Sequence, residues 1–246
     1  MSKIMPEAIA TPASDQANDV AMMVRITESM PYESAQCAMQ QWVARRAVHA
    51  ERQLLDDELW LLEHPSVITT GVRTPPEDLP AMPSLPIVPS DRGGLATYHG
   101  PGQLIAYLLM DVRRAGLGPR ALVCALEGAV LGLLDEFGIP GQRHCGRPGV
   151  YLGGAKIASL GLRLRNGLSY HGLALNVHVD LEPFARFHPC GVPGLVMTRL
   201  VDHCHGITMA AAGERLAHHI AAGLDRNMVL SSPWPASWQA AMQNAE

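Results

Sequence analysis

Two residues stand out for the chemistry they could do together, Lys156 and Cys190. The chain has only two lysines, Lys3 and Lys156, beside seventeen arginines. Where a surface cation was needed this sequence used Arg, so Lys156 invites another explanation. Lysine differs from arginine in that it can give up its proton when buried. Cys190 lies in His188-Pro189-Cys190-Gly191, a run of turn formers, which puts its thiol on a loop with no side chain behind it at Gly191. A thiolate beside a cation is a good nucleophile towards acyl groups. Cys37 and Cys124, among apolar neighbours in helical patterns, read as packing cysteines.

A second stretch belongs with this pair. Arg92 to Tyr107, RGGLATYHGPGQLIAY, holds Gly93, Gly94, Gly100 and Gly102 around a Thr-Tyr-His run. Such glycine density costs backbone entropy and marks tight turns or close approach of the backbone to a ligand. Its alternative is a plain Gly-rich turn between two strands. The segment Gly153 to Gly191, which carries Lys156, His171 and Cys190, favours one shared active site.

Composition narrows the setting. With 48% hydrophobic and 17% charged residues the chain is of ordinary globular type. No apolar run reaches the roughly 20 residues needed to span a bilayer. The first residues lack the apolar core of a secretory signal. We expect a cytoplasmic protein with no membrane association, a flexible tail over residues 1–23, and a single domain over 24–246. Five scattered cysteines without a C-x-x-C pair argue against a disulfide framework. The tract His203-Cys204-His205 has no second ligand pair at zinc spacing, so no metal is expected. A net charge of −4 gives no support to nucleic-acid binding. Residues 142–199, however, hold seven basic side chains against two acids, a local basic face suited to an acidic partner.

The elements that must position these groups read as mixed α and β. Pro31-Tyr32-Glu33 opens a helix running towards Arg52, with Tyr32, Ala35, Met39, Trp42 and Val43 on one face. Residues 58–63 and 66–70 read as strands. Residues 74–89, with six prolines, read as a loop. Residues 104–112 form a buried central strand. Pro119 to Phe137 is a helix closed by Gly138. Residues 156–177 form a long hairpin turning at Asn166-Gly167. In strand parity Lys156 keeps register with Ala158, Leu160, Leu162 and Leu164, an apolar face, unless Gly153-Gly154 introduces a bulge. A last helix starts near Thr208, with Met209, Ala212, Leu216, Ile220 and Leu224 inward. This irregular order of helices among hairpins predicts an α+β fold with a mixed sheet.

Three blocks, RGGLATYHGPGQLIAY, GGAKIASLGLRLRNGLSYHGLALNV and HPCGVPG, resemble the lipoyl(octanoyl) transferases of lipoate biosynthesis, over roughly residues 31–224. The resemblance implies the fold of the biotin and lipoate protein ligases. It implies transfer of an octanoyl group from octanoyl-acyl carrier protein to a lysine of a lipoyl domain, without ATP or other cofactor. Acceptors of this kind are 2-oxoacid dehydrogenase E2 subunits and the glycine cleavage H protein.

By position, Cys190 matches the family's acyl-thioester cysteine and Lys156 the lysine beside it. Arg92, Gly93, Gly94, Leu95, Ala96, Thr97, Tyr98 and His99 match the segment lining the acyl site. So do Ser159-Leu160-Gly161 and Gly172-Leu173-Ala174. His99 and His171 are candidates for positioning Cys190, and backbone amides of the Gly-rich turns for holding the oxyanion. Two departures are visible: Leu108 stands where the family usually has proline, and the first twenty or so residues are an extension. Rival readings are an ATP-dependent lipoate ligase of the same fold, a non-catalytic carrier-binding module, and a papain-like Cys–His hydrolase.

Overall fold

The computed structural model describes residues 20–49, 55–76, 84–231 and 234. An eight-stranded mixed sheet carries the fold. In chain order its strands are β1 (Ala21–Ser29), β2 (Asp57–Glu63), β6 (Gln103–Asp111), β7 (Gln142–His144), β8 (Arg147–Leu152), β9 (Ala155–Arg165), β10 (Leu168–Asn176) and β11 (Asn227–Leu230). Their order across the sheet is β11-β1-β2-β6-β10-β9-β8-β7. The first three run parallel and every later neighbouring pair is antiparallel. A smaller sheet joins β3 (Val67–Thr70) between β4 (Ile87–Pro89) and β5 (Thr97–His99).

Helices cover both faces of the large sheet. On one face lie α2 (Pro119–Glu136) and α3 (Met209–Gly223), and on the other α1 (Tyr32–Val48). The stripe of α2, Leu122, Leu126, Val130, Leu133 and Leu134, is wholly buried. Each such side chain removed from water stabilises the fold by about 1.5–3 kcal/mol. Pro119 opens this helix with its φ already set, and Gly138, at φ +67°, lets the chain leave it. Thr208 caps α3 by accepting a hydrogen bond from the Ala211 amide. Because both faces are covered, β6 and β10 are buried along their whole lengths, and β6 reads as a nearly unbroken apolar run between Gln103 and Asp111. The hairpin β9–β10 turns at Asn166 and Gly167, both at positive φ.

Several expectations need correcting. The boundary expected after residue 23 falls inside β1, which begins at Ala21 between β2 and β11; the rest of the expected tail, residues 1–19, lies outside the described residues. The proline-rich stretch 74–89 ends in a strand: Ile87–Pro89 pairs in parallel with β3 and buries Val88. Proline is tolerated there because β4 is an edge strand. Helix α1 stops at Val48, and residues 50–54 lie outside the described ones. Met209, expected inward, is only partly buried at the start of α3.

Candidate active site

Lys156 Nζ donates to Cys190 Sγ across 3.3 Å. Two backbone seams hold this pair together. The segment after Cys190 lies alongside Lys156 as a parallel bridge: the Lys156 amide donates to Val196 O at 2.8 Å, and the Thr198 amide to Lys156 O at 3.0 Å. On the other side the Cys190 amide donates to Ala96 O at 3.0 Å. Cys190 itself sits at φ 56°, ψ 22°, a left-handed conformation that a side chain rarely adopts and that the seams and Gly191 enforce. A Cβ at Gly191 would stand 2.4 Å from Leu95 Cδ1 and on a backbone at φ +66°, so a side chain there would displace Leu95 and strain the turn.

The strand parity expected for Lys156 does not hold. Val150 faces Ala158 across β8 and β9, yet Tyr151 faces Lys156, so one extra residue bulges out of β9 between them. That slip turns Lys156 away from Ala158 and onto the face of Ser159 and Gly161. Its aliphatic stem then crosses the bare α-carbon of Gly149, where a Cβ would lie 2.4 Å from Cε. The ammonium ends 5.5 Å over the Tyr151 ring. Lys156 is 3% exposed, and no Asp or Glu is among the described residues lining the surrounding cavity. Cys190 Sγ is thus the side-chain hydrogen-bond partner of this buried amine among the described residues.

The cavity has a volume of about 420 Å³. The expected hairpin residues Ser159, Leu160 and Gly161 line it, as do Gly172, Leu173 and Ala174 across the ladder. Arg92, Gly93, Gly94, Leu95, Thr97 and His99 line it from the glycine-rich side. Ala96 and Tyr98 do not reach it. Alternation along β5 sends Thr97 and His99 inward and the two others outward. Ala96 supplies its carbonyl to Cys190, and Tyr98 packs against Phe184 in a separate cluster. Buried Arg92 acts as a clamp, with Nη2 donating to Thr69 O at 2.9 Å and to Thr69 Oγ1 at 2.8 Å.

Polar chains in the walls set the tautomers. Asn176 Nδ2 donates to Thr198 O, Gln103 Nε2 to Asn176 Oδ1, and His99 Nδ1 lies 2.7 Å from Gln103 Oε1. Each carboxamide is therefore oriented, and His99 must carry its proton on Nδ1. Burial, with His64 and Arg92 nearby, keeps this imidazole neutral, well below its usual range. His64 accepts from Tyr107 Oη at 2.7 Å, and burial lowers it to about 4. His171 Nε2 lies 2.8 Å from Asp91 Oδ1, and Tyr170 Oη donates to the other oxygen. Burial alone would raise the Asp91 carboxyl, but these hydrogen bonds outweigh it and hold it well below the usual carboxylate range.

Sequence reasoning missed Asp91, Gly149, Gln103, Asn176 and Tyr107. Tyr107, Gln103 and Asn176 lay inside the quoted blocks without being singled out; Asp91 and Gly149 lie outside them. The amides of Cys190, Gly191 and Val192 donate to Ala96 O, His188 O and Pro189 O, which removes them as oxyanion donors. His203 of the His-Cys-His tract hydrogen-bonds Thr198 Oγ1 at 2.8 Å. Among the described residues no three His, Cys, Asp or Glu side chains converge as a metal site would require, and no helix is long and apolar enough to cross a membrane.

A family model described as lipoyl protein ligase A/B catalytic domain matches residues 33–221. The sequence is 49% identical over 196 residues to an octanoyltransferase of Pseudomonas fluorescens, covering 80% of this chain and 89% of that one. It is 50% identical over 205 residues to an octanoyltransferase of Azoarcus, covering 83% and 88%. Among solved structures a putative lipoate protein ligase from Thermoplasma acidophilum superposes with a TM-score of 0.71 at 14% identity, covering 91% and 93%. A lipoate-protein ligase A bound with ATP does so with a TM-score of 0.70 at 14% identity, covering 92% and 93%.

Proposed function

The chain belongs to the lipoyl protein ligase A/B catalytic-domain family and is an acyltransferase, and from that premise we propose that it moves an octanoyl group from octanoyl-acyl carrier protein to a lysine of lipoyl domains, through a thioester on Cys190 and without ATP. The acceptors are the lipoyl domains of 2-oxoacid dehydrogenase E2 subunits and the glycine cleavage H protein. One observation carries the reading: the buried ammonium of Lys156 lies 3.3 Å from the Cys190 sulfur, in a cavity whose described lining holds no carboxylate.

In the first step the Cys190 thiolate attacks the carbonyl carbon of the donor thioester. The bond to Cys190 forms as the bond to the carrier sulfur breaks, and Lys156 gives its proton to the departing thiolate. Having given up that proton, Lys156 is a neutral amine able to accept another. In the second step the neutral amine of the lipoyl-domain lysine attacks the Cys190 thioester. The C–N bond forms, the C–S bond to Cys190 breaks, and Lys156 takes the amine proton. The thiolate–ammonium pair is restored.

The test is incubation of the purified chain with octanoyl-carrier and apo lipoyl domain in the absence of ATP. Octanoylated lipoyl domain is the expected product, with an octanoyl adduct on Cys190 seen by intact mass when the acceptor is omitted. A strict requirement for ATP and free acid would replace this reading with that of a ligase.

Docking of the acidic carrier should depend on charge. Of the seven basic residues between 142 and 199, Arg143, Arg186 and Arg199 are paired with Glu127, Glu182 and Asp202, and Lys156 is buried. The steering charge therefore comes from exposed Arg147 and Arg73 at the cavity mouth, with exposed Arg163 and Arg165 on β9. Raising salt from about 50 to 500 mM shortens the screening length to a few ångströms. The rate with octanoyl-carrier is expected to fall about fivefold or more, and that with a small octanoyl thioester less than about twofold. Equal salt sensitivity for both donors would remove the docking role.

A further inference from the structure

His171 is the oddest residue in the cavity. It lies inside the nine-residue strand β10, yet its φ is +59°, a left-handed value that costs about 1–3 kcal/mol for a side-chain-bearing residue. The ladder to β6 skips it: Ser169 pairs with Met110 and Gly172 with Tyr107, with nothing between. The backbone twist brings its ring to the same side as that of Tyr170, on which it stacks at 5.0 Å, and edge-on to Tyr107 at 5.9 Å. Without it, alternation would send His171 to the face of Leu173.

Once there, the ring is only half satisfied. Asp91, an acceptor, takes the proton on Nε2, so Nδ1 carries a bare lone pair. Nδ1 is buried and has no hydrogen-bond partner among the described residues, while the ring is 1% exposed and lines the cavity. A buried acceptor left unpaired is costly, and native structures keep few of them.

The ladder also tells how far this acceptor lies from the reacting sulfur. Lys156 Nζ ends over Gly149, which pairs with Ser159, and Ser159 pairs with Ala174. From that level the cavity floor on β10 passes the Gly161–Gly172 pair and ends at His171, three residues from Ala174, while on β9 the lining runs on to Leu164. Three residues of strand span about 10 Å. With C–C bonds of about 1.5 Å in a zigzag, an eight-carbon acyl chain extends roughly 9 Å. A chain attached at Cys190 and laid along this floor ends beside His171 Nδ1.

We propose that His171 closes the far end of the acyl cavity as a hydrogen-bond acceptor, so that the enzyme takes eight-carbon acyl groups bearing a terminal hydroxyl as well as plain octanoyl. The inference rests on the acyl-transfer reading above and concerns only what the cavity tolerates at the end remote from Cys190. A plain methyl end leaves Nδ1 unpaired; a hydroxyl there donates to it. Asp91 is the positioning residue that holds the proton on the opposite nitrogen.

The experiment compares kcat/KM for the 8-hydroxyoctanoyl and octanoyl thioesters of N-acetylcysteamine, with apo lipoyl domain as acceptor. A ratio taken within one protein cancels differences in folded fraction. Wild type should use the hydroxylated donor within tenfold of octanoyl, about the point at which an apolar end would have rejected it. His171→Phe keeps a planar ring and removes the lone pair, and should lower the ratio at least about fivefold. His171→Asn, which tolerates the left-handed backbone and keeps a polar atom near Nδ1, should stay within fivefold of wild type. A wild-type penalty above tenfold, or a ratio equal in the Phe and Asn variants, overturns the proposal. If the Phe variant does not fold, the wild-type ratio decides alone. Failure of octanoyl transfer itself would count instead against the acyl-transfer reading.

Discussion

Cys190→Ser should abolish octanoyl transfer, by about a thousandfold or more, while leaving the fold intact. Serine has the shape of cysteine and can take the same place on the 189–191 turn, where the seam to Ala96 O depends on the backbone alone. The change is chemical: a thiol ionises near pH 8.5 in water, a hydroxyl far above that, and a hydroxyl gains little from an ammonium 3.3 Å away. Losing the nucleophile of a covalent mechanism typically costs several orders of magnitude. Mass spectrometry should find no acyl adduct at position 190. An adduct on Cys145 or Cys204, or near wild-type turnover by the serine variant, would show that another group carries the acyl chain.

Lys156→Arg separates a fixed charge from a movable proton. The guanidinium stays positive at all ordinary pH, so the variant should keep much of the Cys190 reactivity towards iodoacetamide near pH 7. It cannot give a proton to the departing carrier thiol, nor take one from the incoming amine. Transfer to the lipoyl domain should therefore fall by about 10²–10⁴, the usual worth of a positioned acid or base. Lys156→Ala should lose both alkylation rate and transfer. Turnover by the arginine variant within a few fold of wild type would reduce Lys156 to an electrostatic prop. The larger head group must also fit over the bare α-carbon of Gly149, so circular dichroism should accompany the assay.

Much of this protein was legible in the order of its residues, for local reasons. Helix α2 announces itself because apolar side chains recur with the helical period between a proline and a glycine. The hairpin β9–β10 does so because Asn166-Gly167 suits a turn that needs two positive φ angles. The scarcity of lysine singled out Lys156, and the turn formers around it singled out Cys190. Residue types thus determined the chemistry available, and short-range periodicity determined most of the elements that carry it.

What they left undecided depends on partners distant in sequence. Strands β1, β4 and β11 are short or weakly alternating, and each exists because a neighbour far along the chain offers it hydrogen bonds. The face on which Lys156 emerges turns on one bulged residue, and parity along a single strand cannot show where its partner slips. Likewise Ala96 and Tyr98 sit in the same run as His99, but strand alternation sends their side chains elsewhere. His171 reads as an ordinary strand residue until Asp91, eighty positions earlier, is seen to hold its ring. Composition and local pattern therefore settled which groups this protein owns. Only the packing of remote strands, through register and a few left-handed residues, decided which of them meet in the cavity.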